Sequence, residues 1–218
     1  MRMVLVLVTV LLLQPTFCAA ADELLALCFH DVRRQAAGGD DLAMTTDKFI
    51  ALLTWLREHD YRPVSVDDLL AARGGEKELP AKAVLLTFDD GYRGFYSEVF
   101  PLLKAFNYPA VLALVGRWME APAGSQVAYG DQLVPREHFL SWEQVRELSD
   151  SGLVEIASHS FDLHRGLLAN PQGNREPALS ARGHDPVTGK YETDGSHIAR
   201  LRADLLANAN LIERRTGR

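Results

Sequence analysis

Two acidic residues stand where an apolar run of the sequence ends. Asp89 and Asp90 directly follow residues 83–88, and Gly91 comes next. Adjacent carboxylates repel each other and resist burial unless something compensates them. The pair therefore predicts a bound metal ion or a shared proton. The alternative is a structural role, in which one aspartate caps a helix that begins near Gly94.

Two histidines follow a second apolar run in the same way. His159 and His164 come after residues 153–157 and are five positions apart. On a helix that spacing would turn the two side chains about 140° away from each other. On a loop just past a strand, both imidazoles can converge. Two histidines and one carboxylate make a three-ligand metal site that leaves a position open for water.

Both runs have the length and the Gly or Pro boundaries of buried parallel strands. A third apolar run, residues 24–29, ends in the same manner at His30 and Asp31. The carboxyl ends of parallel strands share one edge of a sheet, where active sites lie in open α/β sheets and barrels. We therefore expect the polar groups to meet there. Cys28, inside the third run, is expected to be a small buried apolar residue.

Helical patterns separate the strands and predict a parallel α/β layout. The helix starts are marked by residues 45–47, by Asp67 or Asp68, and by a capping box from Ser141 to Gln144. Residues 118–139 lack periodicity and predict a long surface loop, and residues 165–196 predict a functional lid or a disordered segment. A final helix is predicted at residues 197–216. Its inward residues are expected to be Ile198, Leu201, Leu205 and Leu211.

Residues 1–21 have the pattern of a signal peptide. Arg2 provides the positive start, residues 4–13 form the apolar core, and small residues around 18–21 provide a cleavage site. A lipid-modified Cys18 is the alternative and would anchor the protein to a membrane. We expect an exported, periplasmic protein whose domain covers residues 22–218. The net charge of −6 and the lack of basic clusters argue against nucleic acid as a partner.

Residues 87–91, Thr-Phe-Asp-Asp-Gly, and the segment from His159 to His164 resemble the first two motifs of the polysaccharide deacetylases, carbohydrate esterase family 4. The commoner histidine spacing in that family is one residue shorter. The longer spacing, together with Phe-His-Asp-Val at residues 29–32, is similar to the exported poly-β-1,6-N-acetylglucosamine N-deacetylases of bacterial biofilms. The resemblance covers residues 24–218, and three motifs in this order are specific.

The resemblance implies a deformed (β/α) barrel and assigns roles to individual residues. Asp90, His159 and His164 would bind a divalent metal, namely zinc, nickel, cobalt or iron. Asp89 would be the general base, and a backbone N–H near Gly91 would help to hold the oxyanion. His30 is the candidate general acid. Alternatively, His30 is hydrogen-bonded to Asp31 or to a backbone carbonyl and only orients the site.

The activity implied is removal of N-acetyl groups from exported poly-β-1,6-N-acetylglucosamine during biofilm matrix formation, with an outer-membrane export partner. Chitin or peptidoglycan deacetylation is the nearest variant, and a non-catalytic glycan-binding remnant is the alternative. The intact metal residues favour the enzyme. The family's later Pro-Tyr-Gly motif does not occur before Arg218. We therefore expect the domain to be incomplete at its C-terminus, with an unpaired strand edge.

Overall fold

The computed structural model describes residues 24–35 and 43–217. The predicted signal peptide, residues 1–21 with Cys18, lies outside this part of the chain. Among the described helices, none has both the length and the apolar character that crossing a bilayer requires.

The described chain contains eleven strands and six α-helices. The strands are β1 (Leu24–Phe29), β2 (Asp31–Arg33), β3 (Ala43–Thr45), β4 (Arg62–Pro63), β5 (Ala83–Phe88), β6 (Ala110–Leu114), β7 (Gln126–Tyr129), β8 (Gln132–Pro135), β9 (Val154–Ser158), β10 (Gly166–Leu168) and β11 (Arg175–Pro177). The helices are α1 (Thr46–Glu58), α2 (Val66–Arg73), α3 (Phe100–Phe106), α4 (Gly116–Met119), α5 (Trp142–Asp150) and α6 (Asp194–Thr216). A π-helical turn, Phe95–Val99, precedes α3, and a 3₁₀ turn, Arg136–His138, follows β8.

The main sheet has the strand order β1-β5-β6-β9, and every pair in it is parallel. The short strand β4 pairs with the first two residues of β5. The predicted α/β fold class is therefore confirmed. Within the described residues no strand pairs with the outer edge of β1 or of β9, so the sheet is open there and a closed barrel stays a prediction.

The centre of the core is β5, which has neighbours on both edges. Val84, Leu86 and Phe88 on this strand are fully buried. The ring of Phe88 stacks on Phe29 at 5.0 Å between centroids and meets Phe95 edge-on at 4.8 Å. Close packing of this kind holds side chains in single rotamers. The last residue before the two aspartates is thus fixed on several sides.

The starts of α1 and α5 agree with the sequence, whereas α2 has a different cap and α6 begins at Asp194, three residues earlier than predicted. Thr45 caps α1 by accepting a hydrogen bond from the backbone of Lys48, and α5 has the predicted capping box. The cap of α2 is Ser65 rather than either aspartate. Ser65 and Asp68 form a capping box at the start of α2, in which Asp68 is the acidic partner.

Two predicted irregular segments contain strands. Residues 126–135 form the hairpin β7–β8 inside the region predicted to be a surface loop. β10 and β11 form a second hairpin within residues 165–196. Both hairpins lie next to the site described below.

The inward face of α6 also differs from the prediction. Leu211 is buried as expected, whereas Ile198 and Leu205 are exposed. The helix is instead buried through Asn208, Leu211 and Ile212. A helix that packs over loop backbone needs polar side chains to satisfy the N–H and C=O groups beneath it, so an apolar period alone did not predict this face.

Candidate metal centre

The turn after β5 separates the two aspartates. Asp90 has φ 73° and Gly91 has φ 75°, so both residues lie in the left-handed region. A Cβ on Gly91 would be 2.7 Å from Cδ2 of Leu114, which makes a side chain unfavourable at that position. As a result Asp90 is completely buried while Asp89 remains half-buried at the surface.

The structure brings Asp90, His159 and His164 together. Oδ1 of Asp90 lies 3.6 Å from Nε2 of His159 and 3.5 Å from Nε2 of His164. One ligand atom from each of the three residues lies within 4.8 Å of the others. Both histidines follow β9 on a loop rather than a helix, as the spacing predicted.

Asp90 uses its two carboxylate oxygens differently. Oδ2 accepts a hydrogen bond from the hydroxyl of Tyr129 at 2.9 Å. Oδ1 is buried and has no hydrogen-bond partner among the described residues. Burial and, secondarily, the nearby charge of Asp90 raise the pKa of Tyr129, so the phenol remains protonated and acts as the donor.

The ring of His164 lies against aromatic side chains. Trp118 meets it edge-on with 4.8 Å between centroids, and Tyr129 lies at 5.5 Å. Trp118 belongs to a small apolar cluster with Tyr92 and Phe139 that supports the β7–β8 hairpin. This packing restricts the orientation of the imidazole that faces Asp90.

These residues fit a divalent transition metal. A buried carboxylate oxygen without a hydrogen-bond donor, next to two imidazole nitrogens, is a place where a cation would offset the charge of the carboxylate. One carboxylate and two histidines form a ligand set used for zinc and related ions. The alternative helix-capping role is not supported, because the turn after Gly94 has no side-chain cap.

Asp89 has a different neighbour. The thiol of Cys28 donates a hydrogen bond to Oδ2 of Asp89 at 3.2 Å. Cys28 is exposed, so the prediction that it is a buried apolar residue is wrong. The error arises because β1 is an edge strand, and an apolar run on an edge strand need not be buried on both faces. Partial desolvation by its neighbours, followed by the bond to Asp89, raises the pKa of the Cys28 thiol.

His30 follows β1, one position beyond the pair formed by Phe29 and Phe88. Its side chain lines a cavity of about 240 Å³ together with Cys28 and Asp31. That cavity shares no lining residue with the groove beside the two histidines. The structure therefore does not bring His30 into the triad, and its role as an acid stays a prediction. The backbone N–H of Gly91, expected to help to hold the oxyanion, donates in this structure to the carbonyl oxygen of Asp89 at 2.9 Å.

A groove of about 630 Å³ opens beside the triad. His159, His164 and residues of the β10–β11 hairpin line it. Leu163, Leu179 and Leu205 supply much of its apolar wall. A groove with apolar walls and a few convergent polar groups is typical of a ligand site.

Arg200 on α6 fixes the segment that continues this wall. Its guanidinium donates to both carboxylate oxygens of Glu192 and to the carbonyl oxygens of Ala178 and Ala181. The bond from Arg200 lowers the pKa of Glu192 to about 2. The wall is thus held by a bidentate ion pair rather than left as a free loop.

Tyr129 is the site residue that the sequence analysis missed. It lies at the end of β7, directly before the turn at Gly130 and Asp131. A Gly-Asp pair between short alternating runs is a recognised hairpin signal. The prolines and glycines around it pointed to a loop instead.

A family model described as polysaccharide deacetylase matches residues 76–217. The poly-β-1,6-N-acetyl-D-glucosamine N-deacetylase of Escherichia coli K12 is 45% identical over 179 residues. The aligned part covers 82% of this chain but 27% of that relative, so the chain spans about a quarter of its length.

Two solved structures are similar over most of the chain. A de-N-acetylase from Aggregatibacter actinomycetemcomitans superimposes with a TM-score of 0.82 at 36% identity and covers 89% of this chain and 76% of that one. The deacetylase domain of BpsB from Bordetella bronchiseptica gives 0.79 at 42% identity, covering 91% and 79%.

Proposed function

We infer the activity from one premise, which is that the chain belongs to the polysaccharide deacetylase family. The family acts on carbon–nitrogen bonds as hydrolases. We propose that this chain removes N-acetyl groups from poly-β-1,6-N-acetylglucosamine and that the reaction serves a biofilm matrix. The similarity to the Escherichia coli N-deacetylase supports this substrate over other N-acetylated glycans.

The observation that carries the proposal is the arrangement around Asp90. One buried oxygen of Asp90 faces two imidazole nitrogens at 3.5 and 3.6 Å. The neighbouring carboxylate, Asp89, is only half-buried. A divalent cation bound by Asp90, His159 and His164 supplies a Lewis acid for the acetamide carbonyl and an activated water. A glycan-binding protein has no need of this arrangement.

Asp89 is the residue that takes a proton from the attacking water. It must be ionised and within hydrogen-bond reach of that water. The Cys28 thiol donates to Oδ2, while Oδ1 receives no hydrogen bond within the described residues and can accept one from the water. The two neighbouring carboxylates therefore have different roles, Asp90 as metal ligand and Asp89 as general base.

The reaction is a hydrolysis with acetate and a free amine as products. Water oxygen bonds to the carbonyl carbon, the carbon–nitrogen bond breaks, and the leaving nitrogen takes a proton. We assign the delivery of that proton to His30, which lies level with Asp89 at the end of the neighbouring strand. Export to the periplasm, through residues 1–21, is also part of the proposal, as is an outer-membrane export partner.

The test is acetate release from β-1,6-linked and β-1,4-linked N-acetylglucosamine oligomers of equal length. The protein is stripped of metal and then supplied with zinc, nickel, cobalt or iron(II). We expect release only with metal and faster release from the β-1,6-linked oligomer. Faster release from the β-1,4-linked oligomer would indicate chitin or peptidoglycan as the substrate class. No release under any condition would contradict the proposed activity and favour a non-catalytic glycan-binding role.

A further inference from the structure

A polar stripe runs along the side of α6 that covers the sheet end. Arg200, Asp204 and Asn208 are spaced four residues apart and therefore lie above one another on the helix. Arg200 holds the groove wall, as described above. The other two residues contact the backbone and strand ends that carry His159 and His164.

Asp204 binds two consecutive amides between the histidines. Oδ1 accepts from the N–H of Phe161 and Oδ2 from the N–H of Asp162, both at 2.7 Å. Hydrogen bonds to a carboxylate are roughly twice as strong as those between neutral groups. The stretch needs such support because Ser160 has φ 89°, a conformation that a residue with a side chain adopts at a cost.

Asn208 joins two strand ends next to His159. It is completely buried, and its Nδ2 donates to the carbonyl oxygen of Leu114 and to Oγ of Ser158, both at 2.8 Å. The N–H of His159 donates to the same carbonyl oxygen at 3.0 Å. A Cβ on Gly116 would lie 2.2 Å from Oδ1 of Asn208, so the absence of a side chain there provides the space for this amide.

We propose that Asp204 and Asn208 are positioning residues that fix the separation of His159 and His164 before a cation binds. The inference rests on the proposed metal site and adds residues that do not themselves touch the metal. A loop that is already ordered binds a ligand more tightly, because binding then costs less conformational entropy. Loss of an outer partner in a metal site typically weakens metal affinity 10–100-fold.

The first test compares zinc affinity in matched variants by competition with a chromophoric chelator. Asn208→Ala should bind zinc at least about tenfold more weakly, and Asp204→Ala should lose as much or more. Asp204→Asn should lie between wild type and Asp204→Ala, because an amide keeps one acceptor. The control is Asn210→Ala, which makes the same change on an exposed position of the same helix and should leave affinity unchanged.

The second test needs no variant and no substrate. Amide hydrogen exchange at Phe161 and Asp162 should be slow in the metal-free wild-type protein and nearly the same after zinc is added. Fast exchange without zinc would overturn the proposal, and so would wild-type zinc affinity in folded Asn208→Ala and Asp204→Asn. Acetate release does not enter either test, so a failure of the proposed deacetylation would appear in a different measurement.

Discussion

The hydroxyl of Tyr129 donates to Oδ2 of Asp90 at 2.9 Å and thereby determines which carboxylate oxygen faces the two histidines. The opposite oxygen, Oδ1, is the atom within 3.6 Å of both imidazoles. Outer hydrogen bonds of this kind commonly orient metal ligands. The β7–β8 hairpin is therefore part of the site even though it contributes none of the three ligands.

Replacement of Tyr129 by phenylalanine tests this relationship. Tyr129→Phe keeps the ring against His164 but removes the donor, so Asp90 can rotate and its Oδ2 loses a buried partner. We expect zinc affinity to fall about tenfold and the free energy of unfolding of the metal-free protein to fall by about 2 kcal/mol. Chelator competition and urea unfolding measure these effects. Tyr191→Phe, on an exposed tyrosine, is the control. An unchanged zinc affinity in Tyr129→Phe would show that the hydrogen bond does not orient the ligand.

The histidine ligands are tested by metal content. His159→Ala or His164→Ala leaves two ligands, which is too few to hold a divalent ion firmly, so stoichiometric uptake of zinc, nickel or cobalt should be lost. His138→Ala removes an exposed histidine and should retain full uptake. Elemental analysis after dialysis gives the result. Full metal content in His164→Ala would remove that residue from the site.

The two aspartates are separated by comparing metal binding with turnover. Asp89→Asn keeps the shape of the side chain but removes the base, so metal content should be retained while kcat falls by about 10²-fold or more. Asp90→Asn removes the charged ligand and should lose both properties. Metal content and acetate release are measured on the same samples. If Asp89→Asn kept full activity, the base would have to lie elsewhere.

The ion pair between Glu192 and Arg200 predicts a pH-dependent contribution to stability. Arg200 lowers the pKa of Glu192 from 4.5 to about 2 in the folded protein. A depressed carboxyl pKa stabilises the fold above the unfolded value, and that stability is lost as the pH falls towards the folded value. The penalty of Glu192→Gln should thus be present at neutral pH, at about 1 kcal/mol. It should shrink between pH 4.5 and pH 2.

Urea unfolding at several pH values measures this difference. Glu213→Gln changes an exposed glutamate on α6 and controls for the loss of one charge. A penalty for Glu192→Gln that stayed constant down to pH 2 would mean that the stability does not come from the ionised pair.

The convergence of Asp90, His159 and His164 was predictable because each of these residues follows an apolar strand. Asp90 follows two residues after β5, and the two histidines follow β9 in the same parallel sheet, so the sheet brings them to one edge. The helix caps at Thr45 and Ser141 were predictable for a similar reason, since the signal is local to a few residues.

The residues that the sequence did not predict depend on contacts between distant segments. Whether Cys28 is buried depends on the number of neighbours that β1 has, which its own composition does not reveal. Asp204 and Asn208 bind backbone groups 42 to 94 positions away in the chain. Hydrogen bonds to backbone leave no complementary residue type to recognise, so no pattern in the sequence marks them.

The left-handed backbone at Asp90 has a consequence for how this chain would change without selection for its chemistry. A φ of 73° costs a residue with a side chain about 1 kcal/mol, and glycine avoids most of that cost. Glycine at position 90 would also remove a buried charge. Selection for folding alone would therefore favour glycine at position 90, and a cation bound to the carboxylate would offset the cost of keeping aspartate there.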